Sequence, residues 1–342
     1  MSTSIKATSI TFLMSIVLLI SLVSAYLINV QGRTVLTLPN SDSTYVEVKS
    51  GSNVHQLLAH LSQRQYLSEG GILRKLWLKM NPQLSQIKAG WYTISNGDHL
   101  AGWLSNIEKG AVVTHAITLV EGKTLWEWLA QMQKTGVINI DLRFNENDFS
   151  YIDSMGNRWF EGMYLPETYQ FTHLASATSI LKQAKQAQDV QLTQLLGDNE
   201  LPELISSNAQ WITLASIVEK ETGAAHEREH IAGVFFNRLA RNMRLQTDPT
   251  VIYGIGPSFD GDITRVHLRT PTPFNTYTMK GLPPSPIAAP SKAALKAVLN
   301  PLATDDLFFV AKGNGEHYFS ETLEEHNQAV QQYQLNQSMN KE

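Results

Sequence analysis

The chain has 342 residues, enough at about 150 per domain for one large domain or two modules, and its 43% hydrophobic and 17% charged residues exclude a disordered chain and a multi-span membrane protein alike. Lys and Arg number 27 against 31 Asp and Glu, so the formal charge of -4 leaves no basic surface and no nucleic-acid partner is expected. Cysteine is absent, which excludes disulfides, thiolate metal sites and a cysteine nucleophile.

From Ser9 to Ile28 the chain carries no charge over about 20 positions, which at about 1.5 Å per residue crosses a hydrocarbon core of about 30 Å. Val23-Ser24-Ala25 resembles a signal cleavage site. The apolar Tyr26, Leu27, Ile28 and Val30 run past it and favour a retained anchor. Lys6 and the terminal amine precede the span and Arg33 follows it, which tips the positive-inside rule toward a cytoplasmic N-terminus. The expectation is a cytoplasmic segment at 1–8, a single-pass transmembrane anchor at 9–29 in the cell inner membrane, a linker at 30–43, and an exported, periplasmic remainder.

Residues 44–112 read as a small α+β module: a strand at Thr44 to Val48, a helix at Val54 to Leu61 capped by Ser52, a helix at Ile72 to Met80, a strand at Trp91 to Ile94, and a helix at Leu100 to Glu108 closed by Gly110. The phrase Lys88-Ala89-Gly90-Trp91-Tyr92, with Gly97 and a helix behind it, resembles a LysM-like module. Residues 113–335 read as a larger α+β unit. It holds a strand through Val120, a helix opening at Thr124, and helices at Ser176 to Leu196, Asn208 to Glu221 and Glu227 to Arg241. Asp248 to Pro290 contains eight of the 13 prolines and no sustained periodicity, which predicts a rigid irregular wall beside a groove. A helix at Ser291 to Leu299, strands at Leu307 to Val310 and His317 to Ser320, and a helix from Leu323 complete the chain.

Three groups of residues are candidates for chemistry. On a helical wheel of Trp211 to Glu221, Thr213, Ser216 and Lys220 form a narrow polar pole and apolar residues fill the rest. Glu219 falls between Ala215 and Ile212, and Glu221 between Ile217 and Leu214. Burial of either would raise its pKa toward that of a general acid, and the wheel does not choose between them. His226-Glu227-Arg228-Glu229-His230 matches H-E-x-x-H, the zinc-peptidase pattern, but Phe236 stands where a third histidine would complete the longer version. A charged first helical turn explains it as well. Gln246, Asp248, Thr250, Tyr253, Asn275 and Tyr277 offer the amides, hydroxyls and aromatic faces that suit carbohydrate, and are also ordinary turn formers.

Leu165-Pro166-Glu167-Thr168-Tyr169, Ala215 to Thr222 (ASIVEKET), Val234 to Leu239 (VFFNRL), Leu245 to Val251 (LQTDPTV), Asn275-Thr276-Tyr277, Gly281-Leu282-Pro283-Pro284 and Thr322 to Asn327 (TLEEHN) together resemble the MltG (YceG-like) family of endolytic murein transglycosylases. The resemblance covers most of residues 45 to 330. It implies a YceG-like catalytic domain at 113–335 that cleaves the β-1,4 bond between N-acetylmuramic acid and N-acetylglucosamine within peptidoglycan glycan strands. The product would carry a 1,6-anhydro-muramoyl end, formed with no metal or organic cofactor. It further implies Glu219 as the catalytic acid, and a peptidoglycan synthase as partner where glycan elongation ends. Gln246, Asp248, Thr250, Tyr253, Asn275 and Tyr277 are then the expected substrate contacts, with Glu167 a further polar support. Phe274, Ser285 and Ser291 depart from the family's usual tyrosine and two glycines. A zinc metalloprotease and a noncatalytic peptidoglycan-binding protein are the alternatives.

Overall fold

The first element is α1 (Ser2–Val30), and the stretch from Phe12 to Arg33, which runs from this helix into the turn behind it, is long and apolar enough to cross a membrane. The computed structural model describes residues 2–146 and 149–335. It resolves into two compact units, Met1–His115 and Ala116–Glu342. Behind α1 the chain makes a tight turn at Gln31–Arg33. A Cβ on Gly32 would lie 2.8 Å from a ring carbon of Trp77, so only glycine lets the turn close on that indole.

The first unit then runs through β1 (Ser43–Val48), α2 (Val54–Gln63), α3 (Gly71–Met80), β2 (Gly90–Ser95) and α4 (Leu100–Lys109). β1 and β2 pair antiparallel with Val46 opposite Tyr92, and strand alternation turns Val46, Val48, Tyr92 and Ile94 inward. Leu57, Leu61, Trp77 and Leu104 of the three helices close over them. The cap of α2 is Asn53 rather than Ser52: its side chain accepts from the Gln56 amide while the Gln56 side chain accepts from the Asn53 amide. That reciprocal pair satisfies two otherwise orphan donors, which a lone serine hydroxyl does not.

The second unit opens on β3 (Thr114–Thr118) and α5 (Leu125–Lys134), then makes six short strands: β4 (Ile138–Asn139), β5 (Leu142–Asn145), β6 (Ser150–Asp153), β7 (Arg158–Trp159), β8 (Thr168–Thr172) and β9 (Ala175–Ser176). β3 pairs with β8, β4 with β9, and β5, β6 and β7 form one small sheet. After them come α6 (Ala177–Leu196), α7 (Asn208–Glu221) and α8 (Arg228–Ala240). The proline-rich segment is less irregular than expected, because it contains α9 (Asp248–Ile255) and the short α10 (Arg265–Arg269). Pro249 sits in the first turn of α9, where a missing N–H costs no helical hydrogen bond. α11 (Lys292–Leu299), the hairpin β10 (Phe308–Ala311) and β11 (His317–Ser320), and α12 (Leu323–Val330) follow.

At the centre of this unit lies α7, whose residues Trp211 to Val218 are all buried. Burial of a large apolar side chain contributes about 1.5–3 kcal/mol, so this run alone anchors the surrounding helices. Its polar atoms are matched: the Trp211 indole N–H donates to the Leu295 carbonyl at 2.8 Å, and Ser216 Oγ accepts from the Ile287 amide at 3.0 Å. The helix stops at Thr222, which turns to extended backbone. A rigid, buried rod therefore delivers its C-terminal turn, with Glu219 and Glu221, to fixed positions.

Candidate functional site

Residues two apart on a helix stand about 200° apart, so the two glutamates of α7 leave it on different sides. Glu219 enters a close-fitting polar nook. Its Oε2 accepts from the Ser291 hydroxyl at 2.5 Å and the Ser291 amide at 3.2 Å, and Oε1 lies 3.9 Å from the Arg228 guanidinium. The same Ser291 hydroxyl accepts from the Ala294 amide, so it caps α11 while it holds the carboxylate. Gly122 covers the opposite side: a Cβ there would meet Glu219 Cγ at 3.8 Å. Backbone bonds from Gly122 to Ala289, and from Ala289 to Lys123, hold that loop in place. The Glu219 side chain is 7% exposed, with both oxygens engaged.

Glu221 instead borders a cleft of about 550 Å³. Burial pushes its carboxyl up to about 7 and Asp248 adds to the rise, against the pull of the Thr247 hydroxyl, His317 and Arg238. Arg238 is locked beneath the cleft. Its Nε donates to the Leu307 carbonyl at 2.6 Å, Nη1 donates to the Leu245 carbonyl at 2.9 Å, and the guanidinium lies 5.1 Å from the centre of the Phe308 ring. Phe309, Val310, Leu323 and Val330 supply an apolar wall. A protonated carboxyl beside hydrogen-bonding groups and an apolar wall is suited to bind a sugar and donate a proton to it.

Of the residues expected to touch substrate, Gln246, Asp248 and Tyr277 line this cleft with Glu221. The Tyr277 hydroxyl donates to Asp248 Oδ1 at 2.7 Å. Gln246 has a φ of 52°, unusual for a residue with a side chain, and its amide donates to the Thr276 carbonyl. Thr250, Tyr253 and Asn275 face inward instead. Thr250 Oγ1 donates to the Thr247 carbonyl, and Tyr253 stacks on Trp126 at 5.0 Å and meets Phe274 edge-on at 4.8 Å. Asn275 donates to the carbonyls of His267, Leu268 and Thr270 and accepts from the Tyr277 amide. These three build the frame that presents Asp248 and Tyr277, because buried polar atoms in a turn-rich segment must find partners inside it. Glu167 is exposed, is not part of the cleft, and accepts from the amide of its neighbour Thr168. Glu219 is likewise absent from the cleft lining.

The zinc-peptidase pattern does not form one helical face. His226 and Glu227 lie in the turn Ala225–Glu227 before α8, and only His230 is inside the helix. The side chains also have different partners: His226 faces Glu316 at 3.6 Å, Glu227 binds His317 at 2.8 Å, and His230 binds Asp306 at 2.6 Å while stacking on Phe319. The α-helix starts two residues after His226 and the two imidazoles pair with different carboxylates, which corrects the metalloprotease alternative. Among the described residues no group of three or more His, Asp or Glu is arranged to hold a metal.

A family profile described as the YceG-like family matches residues 46–332. The chain belongs to the YceG-like family. A Bacillus subtilis (strain 168) protein named endolytic murein transglycosylase is 29% identical over 306 residues, covering 84% of this chain and 84% of that protein. A protein of the same name from Streptococcus pneumoniae serotype 2 is 26% identical over 330 residues, and the match takes in 86% of this chain but 59% of the pneumococcal protein. A crystal structure of a yceG-like protein from Listeria monocytogenes is 29% identical, covers 84% of this chain and 98% of that one, and superposes with a TM-score of 0.49. Glu219, Glu221 and all the cleft residues named above lie inside the YceG-like stretch.

The helical wheel leaves both glutamates open, the family resemblance implies Glu219, and neither points to Arg238 or His317 as parts of the cleft. Arg238 was in view as the arginine of VFFNRL; His317 stands alone at the start of a four-residue strand and gave no local signal.

Proposed function

We propose that this YceG-like chain is an endolytic murein transglycosylase, a lyase that cuts the β-1,4 bond between N-acetylmuramic acid and N-acetylglucosamine inside nascent glycan strands and leaves 1,6-anhydro-muramoyl ends. One observation carries the assignment of the acid to Glu221 rather than Glu219: its carboxyl, raised to about 7, borders the cleft that also holds Gln246, Asp248 and Tyr277. A carboxyl with a pKa near the working pH keeps its proton on binding and gives it up in the transition state. Glu219, the acid that the family resemblance implies, has Ser291 and Arg228 on its two oxygens and is the second reading for the acid at the same helix end.

In this mechanism Glu221 protonates the glycosidic oxygen as the C1–O4 bond breaks. The muramoyl N-acetyl carbonyl stabilises the positive charge developing at C1, the substrate-assisted route that needs no enzyme nucleophile. Gln246, Asp248 and Tyr277 orient the sugar, and burial and Asp248 hold the Tyr277 phenol above its ordinary pKa, so it stays a donor. O6 of the muramoyl residue then closes on C1, and the carboxylate left by the first step takes the hydroxyl proton. The reaction is a transfer within the sugar, so no water is consumed and no metal or organic cofactor takes part.

The apolar helix at Phe12–Arg33 fits a single-pass anchor in the inner membrane with the catalytic unit in the periplasm, near newly made strands and the synthase that extends them. In the first unit, a cleft of about 400 Å³ bordered by Tyr45, Glu47, Gln56 and Trp91 suits a LysM-like role in holding glycan. Mass spectrometry of purified glycan strands after digestion tests the whole reading. Anhydro-muramoyl termini are expected from the wild type and the Glu219→Gln variant, and none from Glu221→Gln. Undiminished product from Glu221→Gln rejects Glu221 as the acid, and loss confined to Glu219→Gln returns that role to Glu219.

A further inference from the structure

A helix on the surface of a small module ordinarily turns its apolar residues inward and its polar ones to solvent. In the first unit α2 and α4 obey that division, and among the described residues neither exposes a large apolar side chain. α3 departs from it: Ile72, Leu76 and Met80 are 72%, 41% and 63% exposed. Spaced four residues apart, at about 100° per residue they fall within about 80° of one another and form one stripe along the helix. Trp77 and Leu78 of the same helix are buried in the core, so α3 is apolar on two faces at once. Lys75 and Lys79 edge the stripe, both exposed, and among the described residues neither has a carboxylate partner.

The place of α3 in the unit says what covers the second face. α3 packs against α1 and against the turn Gln31–Arg33 that follows it. Gly32 in that turn lies against the Trp77 indole, and Ile28, one helical turn earlier, packs on the same core cluster as Trp77. Counted from Phe12, about 20 residues at about 1.5 Å each cross a hydrocarbon core of about 30 Å, so a span that begins there ends close to Gln31. The contacts with Ile28 and Gly32 therefore fix α3 at the level where α1 leaves the hydrocarbon. Tyr26, exposed near the same end of α1, is an aromatic of the kind that gathers at that boundary.

We propose that α3 lies in the surface of the bilayer that α1 spans, with Ile72, Leu76 and Met80 among the acyl chains and Lys75 and Lys79 at the lipid phosphates. The inference rests on the reading of Phe12–Arg33 as a membrane anchor. Placing the stripe in hydrocarbon removes its apolar surface from water. The lysine stems cover apolar surface while their ammonium groups stay at the level of the negative phosphates. With ten residues and three inserted side chains, α3 is a weak membrane ligand by itself. The anchor keeps the bilayer within reach, so docking is intramolecular and a weak contact suffices. Span and helix together give the first unit two points of attachment, which fixes the face it turns to the lipid.

Because the chain has no cysteine, single spin labels can be placed at will. Full-length protein carrying one nitroxide is reconstituted in vesicles of phosphatidylethanolamine and phosphatidylglycerol. Electron paramagnetic resonance then compares collisions with oxygen, which concentrates in hydrocarbon, and with a water-soluble nickel chelate. Labels at Ile72→Cys, Leu76→Cys and Met80→Cys should favour oxygen by about threefold or more over a label at Ser50→Cys, in the exposed turn after β1, as expected for a face about 5–10 Å below the headgroups. Leu22→Cys, in mid-span, reports the anchor itself. If Leu22→Cys reads hydrocarbon while the α3 labels are as open to nickel as Ser50→Cys, the docking is overturned and the anchor stands. Labels on α3 shielded from both reagents mean that a second copy covers the stripe, which also overturns the proposal. A Leu22→Cys label open to nickel brings down the anchor reading and the docking with it. Adding Ile72→Glu and Leu76→Glu should return the Met80→Cys label to water with the melting temperature in detergent unchanged, and a label that stays in hydrocarbon refutes the role of the stripe. Should one labelled variant fail to fold, the remaining α3 positions are read by the same criteria.

Discussion

Glu219 and Glu221 share one helix, lie two residues apart and have the same side chain, yet one is fully engaged by neighbours and the other borders open space. Glu219 meets Ser291 at one oxygen and Arg228 at the other. Glu221 meets Thr247, His317 and Arg238 across a cleft large enough for sugar, and burial raises its pKa. The difference teaches that burial alone does not make a general acid: the carboxyl must also be left without a full set of donors and must face the substrate.

The strongest way to break this comparison is paired substitution. Glu221→Gln should lower kcat on the order of 10²- to 10⁴-fold with an unchanged fold, measured by release of anhydro-muramoyl products and by circular dichroism. Glu219→Gln should retain activity within about tenfold and lose on the order of 1 kcal/mol of stability, because a charge-assisted hydrogen bond becomes a neutral one. Equal losses of activity in the two variants would sink the distinction.

A smaller effect should come from Tyr277→Phe, which deletes the donor to Asp248 in the cleft. KM is expected to rise several-fold with kcat changed less, since the phenol orients sugar and transfers no proton. Ser291→Ala sharpens the other side. It removes both the bond to Glu219 and the cap of α11, so a loss of about 1–3 kcal/mol is expected, seen as a melting temperature lower by several degrees.

The smallest effect on activity, and the one most dependent on pH, concerns Glu161. This carboxyl is 2% exposed and raised to about 8 by burial, with the nearby Glu127 adding to the rise, while the Leu125 and Gly162 amides oppose it. Between its ordinary pKa and about 8 the folded protein holds a proton that the unfolded chain has lost. Stability therefore falls as pH rises through that window and levels off above it. Glu161→Gln should remove that slope, worth on the order of a few kcal/mol across the window. Melting temperatures of the two proteins should diverge between about pH 5 and about pH 9; parallel curves would show that Glu161 titrates normally. Glu221 contributes a slope of the same sign up to about 7.

Much of the framework could be read from residue order. The uncharged run of α1, the apolar wheel of α7 and the Thr124 cap of α5 are local patterns, each contained in one element. The short strands between Ile138 and Ser176 escaped notice because two to five residues give no period to count. Asp248 to Ile255 proved helical because a first-turn proline is compatible with a helix, although it dilutes the periodic signal.

The cleft depended on contacts between distant segments. Asn275 and Tyr277 alternate along one turn, but which of them turns inward was decided by the carbonyls of His267, Leu268 and Thr270 and by the carboxylate of Asp248. His317 came beside Glu221 through a carboxylate 90 positions earlier. The apolar N-terminal helix, the buried central helix and the pair of glutamates at its end were legible in the residue order, because these follow from the spacing of side chains along one element. Only tertiary structure gave the two glutamates different surroundings, because the groups that meet each carboxyl lie on other elements, such as Ser291 for Glu219 and Thr247 and His317 for Glu221.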